Sequence, residues 1–302
     1  MASVLSLGAA AVYLQNPATI NATINATINA TINATINATI NATINATTGV
    51  NLKNRLYVLL TAVLGLASNP GSAAAPDAHA HWTYQGKAGA AHWSELDPVN
   101  AGCTVSKEQS PINIDTTLAK KSPLAPLEFD YRAGAGEVSN NGHTIQFTPQ
   151  PGNVVKVGDE SAELLQFHFH TPSEERIDGK RFAMVAHFVH KNAAGELSVV
   201  AVLFKEGKAN AALAPIFTAL PGVGAHRTLA SFDPAELLPA GRAYFKFRGS
   251  LTTPPCTDGV RWQVLRQPVE MSRTQLAAFR KRYPMNARPE QPLHGRMVEA
   301  SE

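Results

Sequence analysis

The sequence is short of several features, and each shortage excludes a class. Only two cysteines, Cys103 and Cys256, occur among 302 residues, too few for a four-thiolate zinc site yet enough for one disulfide in an oxidising compartment. Excess charge of one sign is also scarce. Lys and Arg number 26 against 23 Asp and Glu, a net charge of +3, and no basic run forms a stripe that could track phosphates. That gives no footing for nucleic acid and favours a small neutral or anionic solute. No apolar run reaches the roughly 18 to 20 residues that a membrane-spanning helix needs. Apolar residues as a whole are plentiful, at 44% of the chain, so an intrinsically disordered chain is excluded and an ordinary globular protein expected.

The first 80 residues contribute no core. From Asn21 to Ile44 the tetrapeptide Asn-Ala-Thr-Ile repeats six times, a period far below that of any solenoid, with single isoleucines too sparse to bury. Residues 1–50 therefore read as low complexity. Lys53 and Arg55 then precede the 12-residue apolar run Leu56 to Ala67 and small residues ending in Ala78-His79-Ala80. That is the three-part grammar of a secretory signal, and it predicts export to the periplasm or beyond after cleavage at Ala80. Because the signal over 51–80 begins so far into the chain, translation is expected to start near Val50 or Leu52 at a non-Met codon, leaving 1–50 untranslated.

From residue 81 onward, short β-branched or aromatic runs alternate with Gly, Pro, Asn and Asp. They are 144–147, 154–157, 164–170, 182–190, 198–204, 244–247 and 262–265, a pattern of strands. Helical spacing is confined to 210–220, which Pro215 interrupts, and 272–282, where Leu276, Phe279 and Tyr283 share a face. The class is mainly β, in one domain over 81–302 with peripheral helices.

Four of the ten histidines fall in two of these runs, Gln166-Phe-His168-Phe-His170 and His187-Phe-Val-His190. Residues two apart on a strand share a face, so His168 and His170 project together about 6 to 7 Å apart, within reach of one ion. His187 and His190 are separated by an odd number, so only one of them can share the face that meets that pair. Three nitrogen donors suit zinc and leave its fourth position open, the arrangement of a catalytic site.

With these motifs the chain strongly resembles a bacterial secreted α-class carbonic anhydrase. The matching stretches are Trp82-Thr-Tyr84, His92-Trp93, Gln109-Ser-Pro-Ile-Asn113, Asn141-Gly-His143, 166–170, 187–190, Ser250-Leu-Thr-Thr-Pro-Pro255 and Arg288-Pro-Glu-Gln-Pro-Leu293, in order from residue 81 almost to the C-terminus. The resemblance implies a twisted, mostly antiparallel sheet of about ten strands with short surface helices. It also implies reversible hydration of CO2 to bicarbonate and a proton. His168, His170 and His187 become ligands of Zn2+, whose bound hydroxide attacks CO2, while His190 becomes structural. Thr252 becomes the residue that orients the hydroxide, Glu174 its carboxylate partner and His143 the proton shuttle, a role that needs a base titrating near neutral pH. Val189, Val199, Leu251, Val260 and Trp262 form an apolar wall for CO2, with Thr253 on the polar side. Gln166 and the backbone carbonyl of Asn286 accept from the ligands' outer nitrogens. Export makes a Cys103–Cys256 disulfide the expected state, and the secreted relatives commonly form homodimers.

One position departs from the family. Val185 stands two residues before the third histidine, where the family usually has Glu. A carboxylate on a ligand histidine is worth about 10 to 100-fold in metal affinity, so Val185 predicts looser zinc, and Val185→Glu is expected to slow its loss. Two other readings compete. His168-x-His170-x-x-x-Glu174 also has the spacing of a cupin metal site, for an iron or manganese oxygenase, but no second cupin motif follows. A carbonic anhydrase-like binding module without activity would be expected to have lost a ligand, and none is lost.

Overall fold

The computed structural model describes residues 81–302. The repeat over 1–50, the export segment over 51–80 and cleavage after Ala80 lie outside the described residues. The strands are β1 (Asn113–Ile114), β2 (Lys120–Lys121), β3 (Leu127–Asp130), β4 (Gly134–Asn140), β5 (Ile145–Pro149), β6 (Val154–Val157), β7 (Glu160–His170) and β8 (Arg176–Ile177). They continue with β9 (Lys180–Arg181), β10 (Met184–Asn192), β11 (Leu197–Glu206), β12 (His226–Phe232), β13 (Tyr244–Ser250), β14 (Asp258–Leu265), β15 (Val269–Met271) and β16 (Glu299–Ala300). Ten of them run side by side in the order β12-β4-β5-β7-β10-β11-β14-β13-β16-β2, with β3, β6 and β15 completing one large sheet. Within it, pairing is antiparallel except at β11·β14, β11·β15 and β16·β2, so this sheet is mixed and mainly antiparallel; β1, β8 and β9 form a separate small sheet.

The seven expected strands are all present, most of them longer than their apolar runs. Of the nine others, β3, β4 and β12 are four to seven residues long and carry little β-branched sequence. In β4, Gly134-Ala-Gly-Glu-Val-Ser-Asn140, Gly136 follows from packing: a Cβ there would collide with the Phe147 ring. The helical expectation over 210–220 shrinks to a 3-10 turn, Ala211–Leu213, and one helical turn, Ala214–Phe217. Pro215 sits in that first turn, the one place where its missing N–H costs nothing. The second expectation becomes the helix Arg273–Arg280, started by a capping box between Ser272 and Gln275. It buries Leu276 and Phe279 against the sheet, each worth about 1.5 to 3 kcal/mol.

The central strands bury both faces, which is why β10 and β11 read as nearly unbroken apolar runs. One face carries a phenylalanine-rich core that includes Phe147, Phe167, Phe169, Phe188 and Phe204. The opposite face, called the front below, carries Val185, Val199, Ala201, Leu203, Val264 and Trp262. N- and C-terminal segments are strapped across the end of the front by a buried guanidinium. Arg288 donates to Gln109 Oε1 at 2.8 Å, Ser110 O at 2.7 Å and Cys103 O at 2.9 Å, and it lies over the Trp93 ring.

Cys103 and Cys256 are joined in a disulfide across 153 residues of sequence. Closing so long a loop removes about 5 kcal/mol of chain entropy from the unfolded state in the loop-entropy model. The double variant Cys103→Ser/Cys256→Ser should therefore unfold at a lower urea concentration by up to that free energy, and an unchanged midpoint would show that the bond adds no stability.

Candidate metal centre

The register between β7 and β10 assembles the centre. His168 pairs directly with His187, and His170 pairs with Val185. On β10, Val185, His187 and Val189 face front while Met184, Ala186, Phe188 and His190 face back. A register shift between Val189 and His190 leaves His190 opposite Leu164 in the rear core, where Nε2 meets Tyr131 Oη at 2.6 Å. Parity thus separates the two histidines, and His187 joins His168 and His170.

Hydrogen bonds determine which nitrogen of each ring is free. His168 Nδ1 donates to Gln166 Oε1 at 2.8 Å and His170 Nδ1 to the Asn286 carbonyl at 2.7 Å. His187 Nε2 lies 3.0 and 3.1 Å from the two oxygens of Glu175. The inward atoms are then His168 Nε2, His170 Nε2 and His187 Nδ1. One such atom from each ring lies within 4.8 Å of the others, and buried His170 Nε2 has no partner. Tetrahedral Zn2+ with nitrogen ligands at about 2.0 to 2.1 Å sets them about 3.3 Å apart, so the donor set fits zinc after a small closure. Burial pushes His168 down to about 3 and His170 well below its ordinary value, each helped by the neighbouring rings. Neutral imidazole is the form that ligates metal.

Two consecutive carboxylates bracket His187. Glu174 and Glu175 are both fully buried. Glu174 Oε2 is 3.8 Å from His187 Nδ1 and its Oε1 is 3.5 Å from His170 Nδ1; that Oε1 also accepts from the Arg288 backbone N–H at 2.7 Å, so the carboxylate lies beside the three histidines, whose cluster does not include it. Burial pushes the Glu174 carboxyl up to about 7, against the pull of His187. Its Oε2 lacks a partner in standard geometry, although the Thr252 hydroxyl is near enough to favour the ionised form. At His187, burial alone would lower the pKa, but the charges of Glu175 and Glu174 outweigh it and raise it. The expectation that Val185 leaves this histidine without a carboxylate is therefore corrected. Val185 is apolar and buried, and Glu175 reaches the same ring from the turn after β7.

His143 sits on the β4–β5 turn, where Gly142 takes a left-handed φ of 89° and Asn141 Oδ1 accepts from the His143 and Thr144 amides. The ring stacks on Trp82 at 3.6 Å and on His81 at 4.9 Å. Burial in this stack, and then the adjacent His81, lower its pKa to about 4, so in the stacked position it does not titrate near neutral pH as a shuttle must. A cavity of about 280 Å³ beside it is lined by His81, Tyr84, Tyr283 and Met285 among others. Tyr84 was not expected to matter. Its ring stands edge-on to His170 at 6.4 Å, and its buried hydroxyl has no partner. The motif Trp82-Thr-Tyr84 was its only sequence signal. Glu175 was missed as well, although a second acid directly after Glu174 was the available clue.

Three of the five apolar residues expected near the site lie in one row across the front. Gln166, Val189, Val199 and Trp262 are successive neighbours on β7, β10, β11 and β14. Trp262 lies edge-on to His187 at 4.9 Å. Val260 is buried in the same cluster and Leu251 packs on its margin. Thr252 and Thr253 follow on the loop after β13, which the disulfide at Cys256 holds to the N-terminal segment. Asn286 gathers the other side. Its side chain accepts from Thr171 N and donates to the His143 and Phe169 carbonyls, while its own carbonyl holds His170.

The family model described as eukaryotic-type carbonic anhydrase matches residues 88–302. A carbonic anhydrase of Pectobacterium carotovorum is 43% identical over 238 residues, 75% of this chain and 93% of that protein. One from Neisseria gonorrhoeae is 42% identical over 242 residues, 79% of this chain and 95% of that protein. Among solved structures, the α-carbonic anhydrase of Thermovibrio ammonificans in complex with the inhibitor sulfanilamide superposes with a TM-score of 0.71. It is 45% identical, and the match covers 74% of this chain and 99% of that one.

If parity selects the third ligand, His187→Ala should lose bound zinc in elemental analysis of purified protein, whereas His190→Ala should retain about one ion per chain. The reverse result would place the β10 register one face out.

Proposed function

We propose, from the premise that the chain belongs to the eukaryotic-type carbonic anhydrase family and is a carbonic anhydrase, that it hydrates CO2 reversibly at a zinc held by His168 Nε2, His170 Nε2 and His187 Nδ1. The convergence of three imidazoles whose outer nitrogens are already occupied carries this reading. Bound there, Zn2+ supplies a Lewis acid that gives water the strength of a nucleophile near neutral pH, a property for which carbonic anhydrase is itself the general example.

The protein's own groups then orient and exclude. Glu174 has one oxygen committed to the Arg288 amide, so as a carboxylate it has Oε2 free to take the Thr252 proton. An ionised carboxylate can only accept, which leaves a Thr252 lone pair to align the attacking oxygen. Val189, Val199, Leu251, Val260 and Trp262 offer CO2 an apolar wall and deny water that side, with Thr253 at the polar edge. His143 takes the proton away. Burial against Trp82, and then the adjacent His81, hold its pKa down to about 4, so in the stack the ring is a weaker base than a shuttle working near neutral pH needs.

Residues 81–302 form the mature enzyme in this proposal, exported under the direction of 51–80. The Cys103–Cys256 disulfide supports an oxidising compartment such as the periplasm. Among the described residues, no helix is long and apolar enough to cross a membrane.

Stopped-flow CO2 hydration tests the assignment. Thr252→Ala should keep its zinc while losing about 10²-fold in rate, the scale of a misplaced reacting group; full activity would remove Thr252 from the mechanism. His143→Ala should lose rate in weak buffer and regain it with added imidazole, and absence of rescue would remove His143 from proton transfer.

A further inference from the structure

We propose that Glu175 is a positioning residue for the third metal ligand, holding the outer nitrogen of His187 from the β7–β8 turn in place of a carboxylate at position 185. The proposal rests on the reading of His187 as a ligand through Nδ1. Both oxygens of Glu175 lie within 3.1 Å of His187 Nε2, and no part of the side chain is exposed. A buried carboxylate needs a partner of this quality, because leaving its charge unpaired is costly.

The neighbouring strand explains why this acid is needed. Val185 lies on the same face of β10 as His187, two residues away, and is fully buried in the front cluster with Ile114, Ala201 and Leu203. It has no acceptor to offer. Without Glu175, the Nε2–H of His187 would be a buried donor lacking a partner, with a cost of about 1 to 3 kcal/mol. With Glu175 the proton is kept on Nε2, the lone pair of Nδ1 points toward His168 and His170, and the ring becomes a stronger donor to metal. The outer nitrogens are then held by three different kinds of acceptor: an amide oxygen from Gln166, a backbone carbonyl from Asn286 and a carboxylate from Glu175.

The site has a requirement for one carboxylate at His187 Nε2, and either position 175 or position 185 can meet it. Two would set like charges side by side in a buried space already shared with Glu174, which is unfavourable. Val185→Glu alone is thus no longer expected to tighten zinc binding.

The experiment measures zinc release from the purified, zinc-loaded protein to pyridine-2,6-dicarboxylate, with the visible spectrum of the cobalt(II)-substituted protein as a second readout. Glu175→Ala should release zinc about 10 to 100-fold faster than the unaltered protein and shift the cobalt bands. Glu175→Ala/Val185→Glu should return to within about threefold and restore the bands, which a packing role for Glu175 would not predict. A Glu175→Ala protein that keeps zinc as well as the unaltered one overturns the proposal, as does a double variant no slower than the single. Should Glu175→Ala fail to fold, Glu175→Gln decides, since it keeps the acceptor and loses the charge: intermediate release supports the proposal and unaltered release overturns it. Failure of the ligand assignment itself looks different, because His187→Ala would then retain zinc as tightly as the unaltered chain.

Discussion

The pairing of β7 with β10 carries the rest of the molecule. Opposed residues in that ladder include His168 with His187 and His170 with Val185, so the ladder is at once the centre of the sheet and the frame of the metal centre. Because side chains alternate strictly, a slip of one residue would exchange the histidine face for the phenylalanine face on the strand that slipped. The phenylalanines therefore hold the histidines in place. Phe167, Phe169 and Phe188 cannot come forward without giving up the rear core, and while they stay back, His168, His170 and His187 must stay forward.

That constraint concentrates polar groups where an apolar layer would be cheaper. Glu174, Glu175, His170, His187 and Asn286 are all essentially inaccessible to solvent, and their compatibility depends on each proton having a single place. Asn286 meets four backbone or ring partners, Glu174 meets the Arg288 amide, and Glu175 meets His187. Among these five residues the atoms left without a partner are His170 Nε2 and Glu174 Oε2, one within the cluster of histidines and the other beside it. Buried polar atoms lacking partners are uncommon in folded proteins, and where they converge they mark a place for a ligand.

How much of this was legible in the sequence varied with the physical origin of each feature. Strands covered on both faces announce themselves as apolar runs, so β7, β10 and β11 were plain, while β4 and β12, with glycines or polar residues, were not. The His168–His170 pair follows from the two-residue period of a strand. Their odd separation put His187 and His190 on opposite faces, and which of them joins the pair was open until the resemblance, and then the register, selected His187. Thr252, Glu174 and the wall around Trp262 came from the resemblance alone, since no local pattern separates them from turn or core residues. Glu175 had only the clue of a second acid directly after Glu174, because its partner is set by an irregular turn whose path no periodicity describes. The stacking of His143 on Trp82 and His81 joins segments about 60 residues apart, and a sequence read strand by strand has no means of bringing them together.

Arg288 lends the centre a property of timing. Its amide holds Glu174, 114 residues earlier, and its guanidinium holds Ser110 and Cys103, 178 and 185 residues earlier. Contacts of such separation must overcome loop-closure entropy before they return any stabilisation, so they form late in folding. A chain lengthening from its N-terminus can pair β7 with β10 long before residue 288 exists, yet the carboxylate beside the three histidines keeps its oxygen unclaimed until that residue arrives. The anchoring of the acid thus depends on residue 288, and a copy ended before it would carry the histidines without the anchored acid.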